Sequence, residues 1–168
     1  MKIEKPAIFF DRDGVLNQDL GYIFEPKNFK WINGAKEAIK FVNDLNYFVI
    51  VVTNQSGIAR GYFSLSDLEN LHQWIAEELQ ENKAKIDKFY FCPHHPDGIV
   101  EKYSIACSCR KPKPGMILNA IREWPIITSK SILVGDKESD LKAAESVGIK
   151  SYLYKEGSLL NFLEEILI

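Results

Sequence analysis

Short apolar runs recur along this chain and alternate with segments of helical periodicity, a pattern that few architectures accommodate. The runs are rich in aromatic and β-branched residues and are apolar on both faces, which is typical of strands buried inside a parallel sheet. We therefore predict five strands. They are Ala7–Phe10, Phe48–Val52, Phe89–Phe91, Ile132–Val134 and Tyr152–Tyr154.

Helix signals lie between these runs. Apolar residues from Ala35 to Leu45 follow helical spacing, and the capping-box pattern Ser66-Asp67-Leu68-Glu69 predicts the start of a second helix. Alternating strands and helices with right-handed crossovers predict an α/β fold, a three-layer Rossmann-like sandwich with a mostly parallel sheet. In such a fold, ligands bind beyond the carboxyl ends of the strands.

The composition excludes several classes of protein. With 168 residues, 46% of them hydrophobic, we expect one domain spanning residues 1–168. The net charge of −2 supplies no basic field for nucleic acid or an anionic membrane. No apolar run approaches the roughly 18 residues of a membrane helix, no signal core precedes the first strand, and three cysteines argue against a secreted disulfide framework. We expect a cytoplasmic monomer.

Two carboxylates follow the first predicted strand. Asp11 and Asp13 point the same way in an extended segment, and Gly14 allows a sharp turn after them. Two acids this close repel unless a cation lies between them, and Mg²⁺ is the natural partner. The alternative is a solvated acidic turn. Asp136, which follows the fourth strand, would supply a further metal carboxylate.

Other strand ends carry groups that suit a phosphate. Thr53-Asn54-Gln55-Ser56-Gly57 offers a hydroxyl, amides and backbone N–H groups for an oxyanion, or else forms a polar helix cap. Arg110 and Lys111 belong to a local basic cluster that would meet phosphate charge, or else lie in a solvated loop. Asp140 either steadies Asp136 or is an acid favoured by the dipole of a helix start.

The three cysteines suggest a second metal. Cys92, Cys107 and Cys109 lie within 18 residues, beside His94 and His95. Three thiolates and one imidazole form a closed tetrahedral Zn²⁺ set, and we prefer His94 because it completes the short Cys-x-His pair. Zinc would clip a long loop and would be structural. The alternative is three unligated thiols.

Taken in order, the motifs from Asp11 to Asp136 resemble those of the haloacid dehalogenase (HAD) superfamily of phosphotransferases. The resemblance implies that Asp11 is the nucleophile and Asp13 the general acid/base. It implies that Thr53 and Lys111 stabilise the transferred phosphoryl group, and that Asp136 completes a Mg²⁺ site with Asp11 and Asp13.

The stretch that carries the predicted zinc ligands, residues 92–109, is similar to two related groups within this superfamily, the histidinol-phosphate phosphatases and the heptose bisphosphate phosphatases. Three stretches, including Asn54–Gly61, are similar to the heptose group. This likeness implies hydrolysis of a small sugar phosphate through an aspartyl-phosphate. The residues that it implies for substrate binding are Asp19, Gly21, Tyr22, Asn54, Gln55, Ser56, Arg110 and Lys137.

The spacing also bears on how the pocket is built. About 37 residues separate Asp13 from the next strand-end motif, which leaves no room for a separate cap domain, so we expect loops to shape the pocket. Histidinol phosphate or another small phosphate ester remains an alternative substrate. A non-catalytic, zinc-stabilised binding domain remains an alternative of a different class.

Overall fold

The structure is a computed structural model that describes residues 1–168. A five-stranded sheet forms its centre, with the strand order β3-β2-β1-β4-β5, and every neighbouring pair is parallel. The strands are β1 Ala7–Phe10, β2 Phe48–Asn54, β3 Lys88–Cys92, β4 Ile132–Gly135 and β5 Lys150–Leu153. All five predicted strands are confirmed, and the last begins two residues earlier than predicted.

Five α-helices cover the two faces of the sheet. They are α1 Ala35–Asp44, α2 Leu65–Gln80, α3 Gly115–Glu123, α4 Glu138–Glu145 and α5 Leu159–Leu167. Ile8 and Phe10 of β1 share a core with α1, α2 and α5, whereas Ala7 and Phe9 share a second core with α3 and α4. Successive strand residues therefore face opposite helix layers, which confirms the three-layer sandwich.

Burial differs between the centre and the edge of the sheet. β1 and β4 are buried at every position, as the apolar runs predict. β5 lies at an edge, and its Lys150 and Leu153 are exposed. The prediction of apolar environments on both faces thus holds for the central strands and is wrong for β5, because an edge strand has solvent on one side.

The start of α2 also differs from the prediction. Its N-cap is Ser64, whose hydroxyl accepts from the Asp67 N–H while the Asp67 carboxylate accepts from the Ser64 N–H. Phe63 and Leu68 pack in one small apolar cluster, and they flank the cap as a hydrophobic staple does. The helix therefore begins two residues before the predicted box at Ser66.

Two long segments at the carboxyl edge of the sheet carry no α-helix or strand. Segment 11–34 follows β1 and segment 93–114 follows β3, and each contains one three-residue 3-10 turn. Neither adds a layer to the sandwich, so the predicted absence of a cap domain is confirmed. None of the helices combines the length and the apolar character needed to cross a bilayer.

Candidate active site

Four strand-end motifs converge at the carboxyl edge of the sheet. Asp11 follows β1, Thr53 lies near the end of β2, Asp136 follows β4, and Lys111 arrives from segment 93–114. The Lys111 Nζ lies 2.8 Å from Asp11 Oδ1, although 100 residues separate the two in sequence. The motifs adjoin a cavity of about 620 Å³.

Lys111 is buried and held from three directions. Its ammonium group pairs with Asp11 and, at 2.6 Å, with Asp140, and it donates to the Val52 carbonyl at 2.7 Å. Burial opposes the charge on Lys111, but the two carboxylates outweigh that effect and raise the pKa of its ammonium group. Lys111 is therefore a fixed cation at the floor of the cavity.

The acids around Lys111 carry more negative charge than this one lysine offsets. Ligand oxygens of Asp11, Asp136 and Asp140 lie within 4.8 Å of one another. Burial raises the pKa of Asp11 to about 8, against the lowering effect of Lys111, and burial also raises the pKa of Asp136. Asp136 Oδ1 is buried without a hydrogen-bond partner. An unpartnered carboxylate oxygen beside surplus negative charge fits a divalent cation such as Mg²⁺.

Gly14 makes room for this acid group. Its φ of +93° is in the left-handed region, and a Cβ at this position would collide with the Asp136 carboxylate. The turn after Asp13 thus needs glycine for its backbone angle and for the close approach of Asp136.

Asp13 lies beside the acid group but is held separately. Its carboxylate accepts from Arg12, from Asn17 Nδ2 at 2.9 Å and from Gln55 Nε2 at 2.9 Å. Burial alone would raise the pKa of Asp13, but Arg12 and these hydrogen bonds outweigh it and lower the pKa. The structure therefore brings together Asp11 and Asp136 of the three predicted magnesium ligands, and the Asp13 carboxylate is outside that group.

Arg12 is a buried residue that the sequence analysis missed. Its side chain is fully buried, donates to Asp13 and to the Ile23 carbonyl, and lies 3.2 Å from His72 Nε2. Burial, followed by the charge of Arg12, lowers the pKa of His72 to about 3. A signal existed in the sequence: a residue between two acids that face one site must point the other way.

The residues at the end of β2, and Gln55 directly after it, support the site through hydrogen bonds. Asn54 Nδ2 donates to the Lys111 carbonyl while Asn54 Oδ1 accepts from the Lys111 N–H, which joins the two motifs. The Gln55 amide donates to Asp13 and, at 2.8 Å, to the Thr53 hydroxyl. Thr53 is buried and is not among the residues that line the cavity.

All eight residues predicted to bind substrate line the cavity, namely Asp19, Gly21, Tyr22, Asn54, Gln55, Ser56, Arg110 and Lys137. The Lys137 Nζ lies 3.5 Å from Asp19 across the opening. Arg60 and Ser139, which the sequence analysis did not select, line it too. Asp140 lines the floor, where Oδ2 accepts from the N–H groups of Asp136 and Lys137. It therefore fits both roles that the sequence left open.

The cysteines and His94 form a second, separate cluster. The Cys109 Sγ lies 2.8 Å from Cys92 Sγ and 3.4 Å from Cys107 Sγ, and His94 Nδ1 lies 3.3 Å from Cys109 Sγ. Burial raises the pKa of Cys92, whereas N–H donors around Cys107 outweigh its burial and lower its pKa to about 6. Three thiols and one imidazole whose ligand atoms lie within 4.8 Å of one another fit Zn²⁺.

His95 does not join this cluster. Its Nε2 lies 3.3 Å from an Arg60 guanidinium nitrogen, on the side of segment 93–114 that faces the turn after β2. The preference for His94 over His95 as the fourth donor therefore agrees with the geometry.

The fold and the site define a class. A family model described as HAD-hydrolase-like matches residues 108–161, which include Lys111, Asp136 and Asp140. A solved structure, D,D-heptose 1,7-bisphosphate phosphatase from B. bronchiseptica complexed with magnesium and phosphate, is similar with a TM-score of 0.81. It is 32% identical and covers 95% of this chain and 86% of that chain. The protein is thus a HAD-like hydrolase.

Curated relatives define the family within that class. The D-glycero-beta-D-manno-heptose-1,7-bisphosphate 7-phosphatase of Rhodopseudomonas palustris is 41% identical over 98% of this chain and 91% of its own length. The Haemophilus influenzae enzyme of the same name is 49% identical over 86% of this chain and 78% of its own length. The chain belongs to the family of D-glycero-beta-D-manno-heptose-1,7-bisphosphate 7-phosphatases.

Proposed function

We propose that this protein is a Mg²⁺-dependent phosphatase that removes the 7-phosphate of D-glycero-D-manno-heptose 1,7-bisphosphate. The observation that carries the proposal is the Lys111–Asp11 ion pair beneath a polar cavity, in a chain of this family. A carboxylate beside a fixed cation at a strand end is suited to attack phosphorus while the cation offsets phosphoryl charge.

The reaction uses two acids with different surroundings. With Mg²⁺ bound beside it, Asp11 would be ionised despite the burial that raises its pKa, and its carboxylate attacks phosphorus to form an aspartyl-phosphate. Asp13, whose pKa the negative charge of the bound substrate would raise, takes up a proton and gives it to the departing sugar oxygen. Asp13 then takes a proton from the water that attacks the phosphorus, which releases inorganic phosphate and restores Asp11. The hydrogen bonds that Asp13 accepts from Asn17 and Gln55 keep its carboxylate in place for both transfers.

Asp11 and Asp136 would hold Mg²⁺, supported by the unpartnered Asp136 Oδ1. When bound, Mg²⁺ supplies positive charge that offsets the charge of the transferring phosphoryl group. Lys111 adds charge from the floor of the cavity, and Thr53 would hold a phosphoryl oxygen through its hydroxyl. Asp140 fixes Lys111 through their ion pair.

Substrate binding falls to the cavity walls. Lys137, Asp19, Gly21 and Tyr22 border the opening, and a sugar that carries two phosphates needs cations on both sides of the reacting centre. We propose that these residues, together with Arg110 and the turn Asn54–Ser56, bind the heptose and its second phosphate.

The thiol cluster has a structural part in the proposal. Cys92, His94, Cys107 and Cys109 would hold Zn²⁺ with four protein donors and no open position, so the metal would clip segment 93–114 without taking part in the reaction. We further propose that residues 1–168 act as one domain, as a monomer in the cytoplasm. Size-exclusion chromatography with light scattering tests the monomer.

A substrate panel tests the function. We expect kcat/KM for the heptose bisphosphate to exceed that for histidinol phosphate by about 100-fold, since the second phosphate gains charged hydrogen bonds that histidinol phosphate cannot make. Phosphorus NMR of the product should show the 1-phosphate retained, and removal of Mg²⁺ with a chelator should stop turnover reversibly. Equal or faster turnover of histidinol phosphate would overturn the proposal.

A further inference from the structure

Two arginines of the cavity differ from its two lysines in how their charge is balanced. The lysines are paired with carboxylates, Lys111 with Asp11 and Asp140, and Lys137 with Asp19. Arg60 and Arg110 have no carboxylate within 4.0 Å. The cavity therefore contains two cations whose charge the protein leaves free for a ligand.

Both arginines also have an unused donor. Arg60 Nε and Arg110 Nη1 are buried and have no hydrogen-bond partner. A buried donor without an acceptor costs free energy that a bound anion recovers. Both guanidinium groups line one cavity, so their charge is available to an anionic group of a ligand bound there.

Segment 93–114 contacts the Arg60 side chain and the backbone of the turn that carries it. One terminal nitrogen of its guanidinium lies 3.3 Å from His95 Nε2. Because arginine can only donate, this contact is a hydrogen bond in the tautomer that leaves Nε2 unprotonated, in which Nδ1 carries the proton and does not accept from the Asp97 N–H. The same segment binds the turn through its backbone, since the Ile99 and Val100 N–H groups both donate to the Ala59 carbonyl. His95 follows His94 directly, so the proposed zinc clip and the orientation of Arg60 are linked through one short stretch of chain.

We infer that Arg60, oriented by His95, is a specificity-determining residue that binds the non-reacting phosphate of a sugar bisphosphate together with Arg110. The inference rests on the proposed function and deepens it, because it assigns a residue that selects bisphosphates over monophosphates. His95 is a positioning residue that acts through Arg60.

The test compares two substrates with the full-length enzyme. The quantity measured is the ratio of kcat/KM for the heptose bisphosphate to kcat/KM for p-nitrophenyl phosphate, which has no second phosphate. Arg60→Gln should lower this ratio by about 10- to 100-fold, the effect of losing a charged hydrogen bond. Arg122→Gln is the matched control, because Arg122 is exposed on α3 and bonds only to Asn119, and its ratio should equal that of the wild type.

The outcomes separate the inference from the proposed function. A wild-type enzyme that prefers the bisphosphate, with an Arg60→Gln variant that keeps the full preference, would overturn the inference alone. A wild-type enzyme that turns over p-nitrophenyl phosphate and shows no preference for the heptose bisphosphate would overturn the proposed function and the inference with it.

Variants of His95 test the positioning role. His95→Leu removes the acceptor, so KM for the bisphosphate should rise by about 3- to 10-fold with kcat nearly unchanged, less than the effect of Arg60→Gln. His95→Gln, whose amide oxygen can accept from Arg60, should restore most of the affinity. A KM that is unchanged in His95→Leu, or raised equally in both variants, would overturn the role of His95.

Discussion

The carboxylate group around Asp11 and the thiol group around Cys92 are both built to attract a cation, yet they differ in every other respect. The carboxylates are hard oxygen donors on two strand-end motifs, after β1 and after β4, with Lys111 among them and a cavity of about 620 Å³ beside them. The thiols and His94 are soft donors that come from β3 and the single segment that follows it. The first arrangement leaves room for a reacting group, and the second closes on its ion. Openness, rather than the number of donors, distinguishes a site for chemistry from a site for stability.

Neutralising the nucleophile should affect the carboxylate site and leave the thiol site unchanged. Asp11→Asn should lower kcat by at least about 10⁴-fold, because an amide neither attacks phosphorus nor pairs with Lys111 as a carboxylate does. Its zinc content and melting temperature should stay near those of the wild type. Asp44→Asn, at an exposed acid of α1 that pairs with Lys40, should match the wild type in activity. Wild-type turnover in Asp11→Asn would contradict the mechanism.

Removing zinc should have the complementary effect. At free zinc about 1,000-fold above the Kd, binding contributes about 4 kcal/mol, so a zinc chelator should lower the melting temperature by roughly 10 °C. Calorimetry with and without added Zn²⁺ measures the shift. Cys109→Ser should show the lower melting temperature from the outset and a smaller response to the chelator. An unmoved melting curve on loss of zinc would contradict a structural role.

Lowering the pH should reduce the free energy of unfolding through His72, by less than the removal of zinc does. His72 lies beside Arg12, with its Nε2 3.2 Å from Arg12 Nη1, and burial together with the charge of Arg12 lowers its pKa from 6.5 to about 3 in the folded chain. Because the unfolded chain binds the extra proton, the free energy of unfolding should fall by about 2 kcal/mol between pH 7.5 and pH 5. His72→Gln should remove this part of the pH dependence. Denaturant titrations of the wild type and of His72→Gln, both in the presence of a metal chelator, measure the free energy of unfolding at each pH. If the free energies of the two proteins change with pH in parallel, His72 is not the source of the pH dependence.

The sequence was sufficient to predict a structural feature where the residues that define it are close together along the chain or follow the same kind of strand end. The apolar runs predicted the central strands because burial inside a parallel sheet requires apolar side chains on both faces, and they located β5 although it is partly exposed at the edge. The cysteine spacing likewise predicted the thiol group, since Cys92, Cys107 and Cys109 are close along the chain. Asp11 and Asp136 were predictable because parallel strands bring their carboxyl ends to one edge.

The sequence was insufficient where a role depends on a distant partner. The function of Asp140 depends on Lys111, and an acid in the first turn of a helix needs no such partner to be favourable. Arg60 and His95 meet only because segment 93–114 folds back over the turn after β2. At the start of α2, Ser64 and Ser66 both have an acid three residues later, and the packing of Phe63 against Leu68 favours the first.

The paired hydrogen bonds between the Asn54 amide and the Lys111 backbone have a consequence for how the enzyme works. Both groups of the amide bind the backbone of Lys111, so the lysine-bearing loop is fastened to the end of β2. That loop cannot serve as a lid. The Lys111 ammonium group is in its catalytic position before substrate binds. Because of this preorganisation, no reorientation of the cation is needed during the reaction.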